Sequence, residues 1–307
     1  MENIPSLQTG IRYHRPQFLL LVLLTAFIGS MVGMERSMLP QLATQVFHLA
    51  SKKALFSFIV AFGISKAITN YITGRLSDRT GRRRLLRIGW LFALPVPWIL
   101  MYAPRWEWII AGNILLGINQ GMTWSGTVLM MLDYAGPRDR GLAMGLNEFA
   151  GYFAVGLVTY LSTAIAAQYG LRPYPFYTGV VFSIAGLLIS FLLVRDTGPQ
   201  PVPAATVGTP APASPALRTQ LTLITQGGAV NNMNDGMLWG LFPLLLSAKG
   251  YPLAAVGAVT AIYPACWGIG QLFTGRLGDL VPKKYLIGGG LALQAAALLA
   301  LPFAADH

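Results

Sequence analysis

Long apolar runs recur along the whole chain of 307 residues, and this pattern constrains the fold more than any other feature. A helix needs about 20 residues to cross about 30 Å of hydrocarbon. Runs that approach or pass about 18 residues centre on nine segments, 17–39, 54–73, 85–103, 107–131, 142–167, 174–194, 219–247, 253–274 and 285–303. The mean hydropathy of +0.55 agrees with them. The sequence therefore predicts an all-α polytopic membrane protein with nine spans.

Basic residues are distributed unevenly between the links that join these spans. If the N-terminus is cytoplasmic, 15 of the 22 Lys and Arg residues lie in cytoplasmic segments and five lie in outside links. By the positive-inside rule, this bias predicts a cytoplasmic N-terminus, with the first span a retained signal anchor. The net charge of +11 is thus explained by basic residues that orient the chain at the surface of the lipid bilayer, and no nucleic acid partner is expected.

A repeat divides the chain into two halves. The stretch "ITGRLSDRTGRRR" after the second span returns as "FTGRLGDLVPKKY" after the eighth. Upstream, Pro40 and Pro243 precede the two motif glycines by 34 and 32 residues. Two segments that share such a plan predict two related helical bundles.

The segment between the halves contains six prolines and no charge over residues 197–216, which favours a tether over a packed helix. The predicted organisation is a six-helix bundle over 1–197, a Pro-rich cytoplasmic linker over 198–217, and the first three helices of a second bundle over 218–307. The repeat period predicts three further spans, roughly 80 to 100 residues, in a complete second bundle. A fragment and a natural truncation are both consistent with this pattern.

The charged loop after the second span resembles the signature loop of the major facilitator superfamily. A glycine, an aspartate four residues on, and then Arg-x-Gly-Arg-Arg run from Gly74 to Arg83, and "DYAGPRDRG" at 133–141 is similar to another loop of that superfamily. The resemblance implies a two-bundle fold whose second bundle is truncated after three spans. It also implies a membrane carrier, for which we expect a bacterial inner (plasma) membrane.

The resemblance further implies that this loop latches the two halves and releases them during cycling. The residues assigned to the latch are Gly74, Arg75, Asp78, Arg79, Gly81, Arg82, Asp133, Arg140, Glu148, Gly275 and Asp279. We expect Gly74 to permit close helix packing, Asp78 to cap a helix or pair with arginine, and the arginines to bind Asp133 and Glu148. The alternative is that the arginines are only a topology signal.

Ionisable and amide residues inside the spans predict a transport pathway, because charge at membrane depth is costly and usually faces the interior. The candidates are Glu35, Arg36, Lys66, Asn119, Gln120 and Asp235. The amides Asn119 and Gln120 also suit contacts between helices. Asp235 ranks above Glu35 as a proton carrier because Asp235 has no charged neighbour in its own helix.

Two departures from the superfamily's antiporter pattern weaken a drug/proton exchange. Gly117 stands three residues before Gln120, where antiporters often carry an arginine, and the fifth span lacks a Gly-Pro pair. Enzyme motifs are also absent from the sequence, and with three histidines and one cysteine no metal or cofactor is expected.

The predicted function is secondary active transport of a small solute by alternating access, with proton-coupled efflux as one form of it. The alternative is a transport-inactive membrane protein with a binding or assembly role. A membrane enzyme is disfavoured, because no acid, base or nucleophile pair lies near a membrane face.

Overall fold

The structure is a computed structural model that describes residues 10–49, 51, 56–197 and 214–304, without the side chains of residues 78 and 301–304. Its helices are α1 (Arg15–Arg36), α2 (Leu39–Gln45), α3 (Ser57–Thr80), α4 (Arg82–Ala93), α5 (Pro95–Tyr102), α6 (Trp106–Ala135), α7 (Arg140–Tyr169), α8 (Tyr177–Leu192), α9 (Pro215–Ala248), α10 (Leu253–Leu280) and α11 (Lys283–Ala304). A 3-10 turn, Tyr174–Phe176, precedes α8. The described residues contain no strand, and the all-α prediction is confirmed.

Helices occupy all nine predicted spans, and two of the spans contain a break, near the end of the first and in the middle of the third. The first span divides into α1 and α2, and the third divides into α4 and α5. Within the described residues, five helical segments are long and apolar enough to cross a membrane by length and composition: 15–45, 82–102, 140–169, 174–192 and 253–280. Three of the others, α3, α6 and α9, carry most of the polar residues assigned above to a pathway.

Proline and glycine set several of the helix boundaries. Pro95 lies in the first turn of α5, where its missing N–H removes no helical hydrogen bond but ends α4. Gly81 has a φ of 84°, which suits glycine, and it separates α3 from α4. The predicted linker, 198–217, lies outside the described residues up to 213. Its last residues begin α9, where the Ser214 side chain accepts a hydrogen bond from the Leu217 N–H at 3.2 Å.

Small residues allow the helices of the first half to approach closely. A Cβ added to Gly29 of α1 would lie 3.0 Å from the Cα of Gly151 in α7, and one added to Gly33 would lie 3.1 Å from the Cα of Val155. Such contacts are typical of helix packing in membranes, where dispersion replaces the hydrophobic effect. The close α1–α7 contact positions the end of α1 beside the second half.

The two halves meet mainly along α7 and α10, which form the most extensive helix pair of the structure. Glycines line this seam: an added Cβ at Gly268 would lie 2.8 Å from the Phe153 nitrogen, and one at Gly275 would lie 2.7 Å from the Gly141 oxygen. Beyond the seam, Gln41 donates a hydrogen bond to Ser247 at the end of the bundle opposite the arginine-rich loop.

A gap between α9 and the first half opens toward the other end, here called the loop end because it carries residues 75–84, while α7 and α10 stay in contact there. Residues 214–226 of the chain, which include the first turns of α9, are exposed on every face. Since α9 contacts the first half near Ser247 and Gly240 but not at its beginning, the gap between α9 and the first half widens toward the loop end.

Candidate functional site

Five ionisable side chains from four helices gather between the two halves. They are Glu35 and Arg36 of α1, Lys66 of α3, Glu148 of α7 and Asp235 of α9, together called the central cluster. Arg36 lies within electrostatic range of Glu35 and Asp235, and Lys66 lies within range of Glu148, Arg36 and Asp235. A concentration of charge at membrane depth is costly, so it indicates a functional site.

Arg36 occupies the apolar part of the central cluster. Its side chain is only 2% exposed, and its Cζ lies 4.3 Å from the ring centroid of Phe62 and 5.0 Å from that of Trp239. Cation–π contacts of this kind stabilise a cation without consuming its N–H donors. None of the three guanidinium nitrogens makes a hydrogen bond with a described residue.

Glu35 and Arg36 form only a loose pair. The nearest Arg36 nitrogen lies 3.8 Å from Glu35 Oε1, and Glu35 Oε2 accepts a long hydrogen bond of 3.4 Å from Asn113 Nδ2. Adjacent helical residues point about 100° apart, which prevents closer pairing. Each residue has a further partner: Asn113 for Glu35, and the rings of Phe62 and Trp239 for Arg36.

Asp235 connects the two halves. Its Oδ2 accepts a hydrogen bond from Tyr152 Oη of α7 at 3.2 Å, and its Oδ1 accepts one from Tyr263 Oη of α10 at 2.8 Å. Trp267 packs against both tyrosines, with ring centroids 5.5 Å from Tyr152 and 6.3 Å from Tyr263. One carboxylate is therefore held by donors from opposite sides of the interface.

Glu148 lies in the central cluster rather than on the arginine-rich loop. The sequence predicted a salt bridge between Glu148 and the loop arginines, but among the described residues no arginine is an ion-pair partner of Glu148. Its Oε1 instead accepts hydrogen bonds from Trp124 Nε1 at 3.0 Å and Asn147 Nδ2 at 3.1 Å. Glu148 lies about two turns after the beginning of α7, and its side chain points into the bundle rather than toward the loop.

The amides Asn119 and Gln120 lie inside the first half. Asn119 Nδ2 donates to the Gly89 carbonyl at 3.0 Å, and Gln120 Nε2 donates to the Ile28 carbonyl at 2.8 Å. Both side chains are fully buried. This is the geometry of contacts between helices, the alternative to the solute contact that was predicted for them.

The first copy of the repeated motif is exposed on the side of Gly74. A Cβ added to Gly74 would meet no described atom within 4 Å, so the close packing expected there is not present. The side chain of Asp78 lies outside the described residues. Arg75 stacks on Tyr71 with its Cζ 5.1 Å from the ring centroid, and Arg79 is exposed.

The last residues of the first copy make contacts within the first half. Arg82 forms an ion pair with Asp133 and donates to the Leu129 carbonyl at 3.0 Å, as the expected pairing with Asp133 requires. A Cβ added to Gly81 would lie 2.7 Å from an oxygen of Asp196, whereas Arg140 is exposed. These contacts join α4 to α6 and to the end of α8.

The second copy of the motif packs against the beginning of α7. Asp279 accepts hydrogen bonds from the backbone N–H of Gly141 at 2.7 Å and of Leu142 at 3.0 Å. Free N–H groups and the helix dipole favour a carboxylate at this position. Arg276 adds a nitrogen 3.8 Å from Asp139. The second copy thus joins the two halves at the loop end.

A comparison with protein families matches residues 18–306 to the family model described as Major Facilitator Superfamily. The chain belongs to the Major Facilitator Superfamily. Its all-helical fold with long apolar helices is that of an integral membrane protein of this superfamily, and the predicted resemblance is confirmed.

Curated relatives within the superfamily are partial matches. The chain is 29% identical over 135 residues to the proton-coupled antiporter flippase LtaA of Staphylococcus saprophyticus, covering 44% of this chain and 33% of the relative. It is 24% identical over 190 residues to multidrug resistance protein 1 of Bacillus subtilis, covering 58% and 44%. The chain thus spans between a third and a half of the length of these relatives.

Solved structures of the superfamily share the fold. The crystal structure of a D-xylose-proton symporter matches with a TM-score of 0.53 at 17% identity, over 80% of this chain and 66% of that one. A partially occluded, inward-open form of the xylose transporter XylE from E. coli matches with a TM-score of 0.52 at 16% identity, over 94% and 62%. At this identity the likeness shows the fold alone.

The tyrosines that hold Asp235 were not predicted from the sequence. Tyr152 lies four residues after Glu148, a spacing that places both side chains on one face of α7. That spacing marks Tyr152 as a residue that faces the same way as a membrane-embedded acid, but it does not indicate the partner Asp235, which lies on another helix. The contact of Tyr263 with Asp235 is between two helices, and no pattern within α10 indicates it.

Proposed function

We propose that this superfamily member is a secondary transporter that moves a small solute by alternating access between its two halves. The observation that carries the proposal is the central cluster, to which both halves contribute charged side chains. Asp235 of the second half lies among those of the first half and accepts a hydrogen bond from Tyr152. A site at the interface of two related bundles can be exposed first to one side of the membrane and then to the other.

We further propose that protons drive the transport and that Asp235 carries them. A carrier of protons must change its charge and its partners when the halves move, and Asp235 accepts hydrogen bonds from both halves. Among the similar proteins, LtaA is named a proton-coupled antiporter and the D-xylose protein is named a proton symporter. Efflux stays a prediction, tested by the sign of the pH gradient that drives accumulation.

The proposed orientation places the N-terminus and the loop end in the cytoplasm of a bacterial cell. To test it, Cys266 is first replaced by serine, and single cysteines are introduced at Thr80 and at Ser51. In intact cells, a membrane-impermeant thiol reagent should label position 51 and leave position 80 unlabelled. Labelling of position 80 alone would reverse the orientation.

Transport itself is tested with the purified chain in proteoliposomes that contain a pH-sensitive dye. Three solutes of different charge serve as probes: ethidium, D-xylose and 3-phenylpropane-1-sulfonate. The proposal predicts that at least one of them moves in counterflow and accumulates when a pH gradient is imposed. If none moves faster than in protein-free vesicles, the transport-inactive binding or assembly role replaces the proposal.

A further inference from the structure

We propose that the central cluster binds an amphipathic organic anion, with the acidic group of the ligand on Arg36 and Lys66 and its apolar body against the indole rings of Trp239 and Trp267. This inference rests on the proposed function, because it names the substrate class of the same site. Its basis is an imbalance between the donors and the acceptors of the central cluster.

The carboxylates of the central cluster take their hydrogen bonds from neutral donors. Asp235 uses two tyrosines, Glu148 uses an indole and an amide, and Glu35 uses an amide. Acids that are supplied in this way have less need of a cation. The N–H donors of Arg36 and Lys66 are therefore not used by these carboxylates.

Both cations lack a hydrogen-bond acceptor among the described residues. All three nitrogens of Arg36 are buried without a hydrogen bond, and Lys66 makes no hydrogen bond or ion pair with a described residue. Instead, both lie over the ring of Phe62, at 4.3 Å for Arg36 Cζ and 5.6 Å for Lys66 Nζ. Glu35, Glu148 and Asp235 lie within electrostatic range of these cations but leave their N–H donors without hydrogen bonds, and an anion shared between the two cations would accept from those donors.

Glu35 cannot fill this role. A guanidinium carries five N–H donors in a planar fork, whereas one carboxylate engages two of them. Even if the 3.8 Å separation from Glu35 closed to hydrogen-bond distance, three donors of Arg36 would remain. A sulfonate or carboxylate of a ligand accepts hydrogen bonds from such donors, and a cation or an aliphatic group does not.

The walls beside Arg36 suit an apolar or aromatic body. Trp239 stacks on Arg36, and Trp267 packs between Tyr152 and Tyr263. The indole N–H groups of Trp239 and Trp267 are both buried without a hydrogen-bond partner in the described part of the chain. Each indole therefore adds one N–H donor without a hydrogen-bond partner to those of the two cations. A ligand with oxygen acceptors near an aromatic skeleton matches both features.

The test measures binding of three probes with one skeleton and different head groups to the purified chain in detergent. The probes are 3-phenylpropane-1-sulfonate, 3-phenylpropan-1-ol and 3-phenylpropyltrimethylammonium, and isothermal titration calorimetry gives their Kd values. We expect the sulfonate to bind at least about tenfold more tightly than the alcohol, since a charge-assisted hydrogen bond is worth about that factor. The cation should bind most weakly.

Substitutions assign the effect to the central cluster. Arg36→Gln should remove the preference for the sulfonate. Arg172→Gln is the matched control, because Arg172 also stacks on a phenylalanine, Phe47 at 5.2 Å, but already donates to the Ala103 carbonyl at 2.9 Å. If Arg36→Gln does not fold, Lys66→Gln, at a more exposed position, should weaken sulfonate binding several-fold.

Two results would overturn the inference: tighter binding of the cation than of the sulfonate, or sulfonate binding that is unchanged in both cluster variants. If dioctanoyl phosphatidate competes with the sulfonate, the natural anion is a lipid head group. If it does not compete, the natural anion is a soluble solute. The proposed transport function is tested separately, because ethidium or D-xylose that moves in proteoliposomes would uphold transport while the anion preference fails.

Discussion

The two copies of the repeated motif share four identical residues and an aspartate but have different surroundings. Gly275 of the second copy lies against the backbone of Gly141 and Gly145, and Asp279 accepts hydrogen bonds from the first turn of α7. Gly74 of the first copy faces no described atom within 4 Å. The motif therefore does not create an interface by itself. It needs the beginning of a helix opposite it.

The repeat indicates which helix would face the first copy. Since α7 is the fifth span of the first half, the counterpart of α7 is the fifth span of the second half. The described residues contain three helices after the linker, α9 to α11, and none in that position. Among the described residues, the second copy faces the beginning of α7, and no helix start faces the first copy.

The largest expected effect comes from filling the second glycine. In Gly275→Val, the new Cβ would lie 2.7 Å from the Gly141 oxygen and from the Gly145 Cα, which are backbone atoms that cannot rotate away. Overpacking of this kind costs about 1–3 kcal/mol. Thermal unfolding in detergent should show a clear loss for Gly275→Val and almost none for Gly74→Val. Equal losses would remove the contrast between the copies.

A smaller effect is expected from Asp279→Asn. The amide keeps one acceptor oxygen but loses the charge and one of the two hydrogen bonds to the Gly141 and Leu142 nitrogens. Removing a carboxylate from a helix N-terminus costs about 1–2 kcal/mol in a partly buried site. The control is Asp139→Asn, whose 3.8 Å ion pair with Arg276 is exposed and should matter little. A cost for Asp139 equal to that for Asp279 would contradict the capping role.

The smallest effects are expected at the first copy. Asp78→Asn should leave the amount of protein in the membrane unchanged and slow conformational cycling, which the rate of solute exchange in proteoliposomes measures. Arg83→Gln should do little, because Arg83 is only half-buried and donates to the Phe191 carbonyl at 2.8 Å within the same half. Equal loss of membrane protein in both variants would favour the topology-signal alternative.

The sequence predicted the features that depend on local pattern. Apolar length gave the helices, and Pro95 is a visible cause of the break between α4 and α5. The repeat predicted that Gly275 and Asp279 take part in one contact, as the second copy of the motif. Asp235 and Arg36 were identified because charge inside an apolar run is conspicuous in any sequence.

Features that depend on distant contacts were not predictable from the sequence. Glu148 was assigned to the loop arginines by its nearness along the chain, but the rotation of α7 points it toward Trp124. Asn119 and Gln120 read equally well as pathway or packing residues until their acceptors, the Gly89 and Ile28 carbonyls, are known. Gly74 carries the same local signal as Gly275, and only the facing helix distinguishes them.

The most direct test of the central claim is proton-coupled transport by Asp235→Asn in proteoliposomes, with Glu107→Gln, an exposed acid, as the matched control. Accumulation under a pH gradient and exchange at equal concentrations are measured for whichever probe the unaltered chain moves. The account predicts that Asp235→Asn abolishes accumulation but keeps exchange, while Glu107→Gln keeps both. If Asp235→Asn still concentrates the solute under a pH gradient, Asp235 does not carry the coupling proton and the central claim is contradicted.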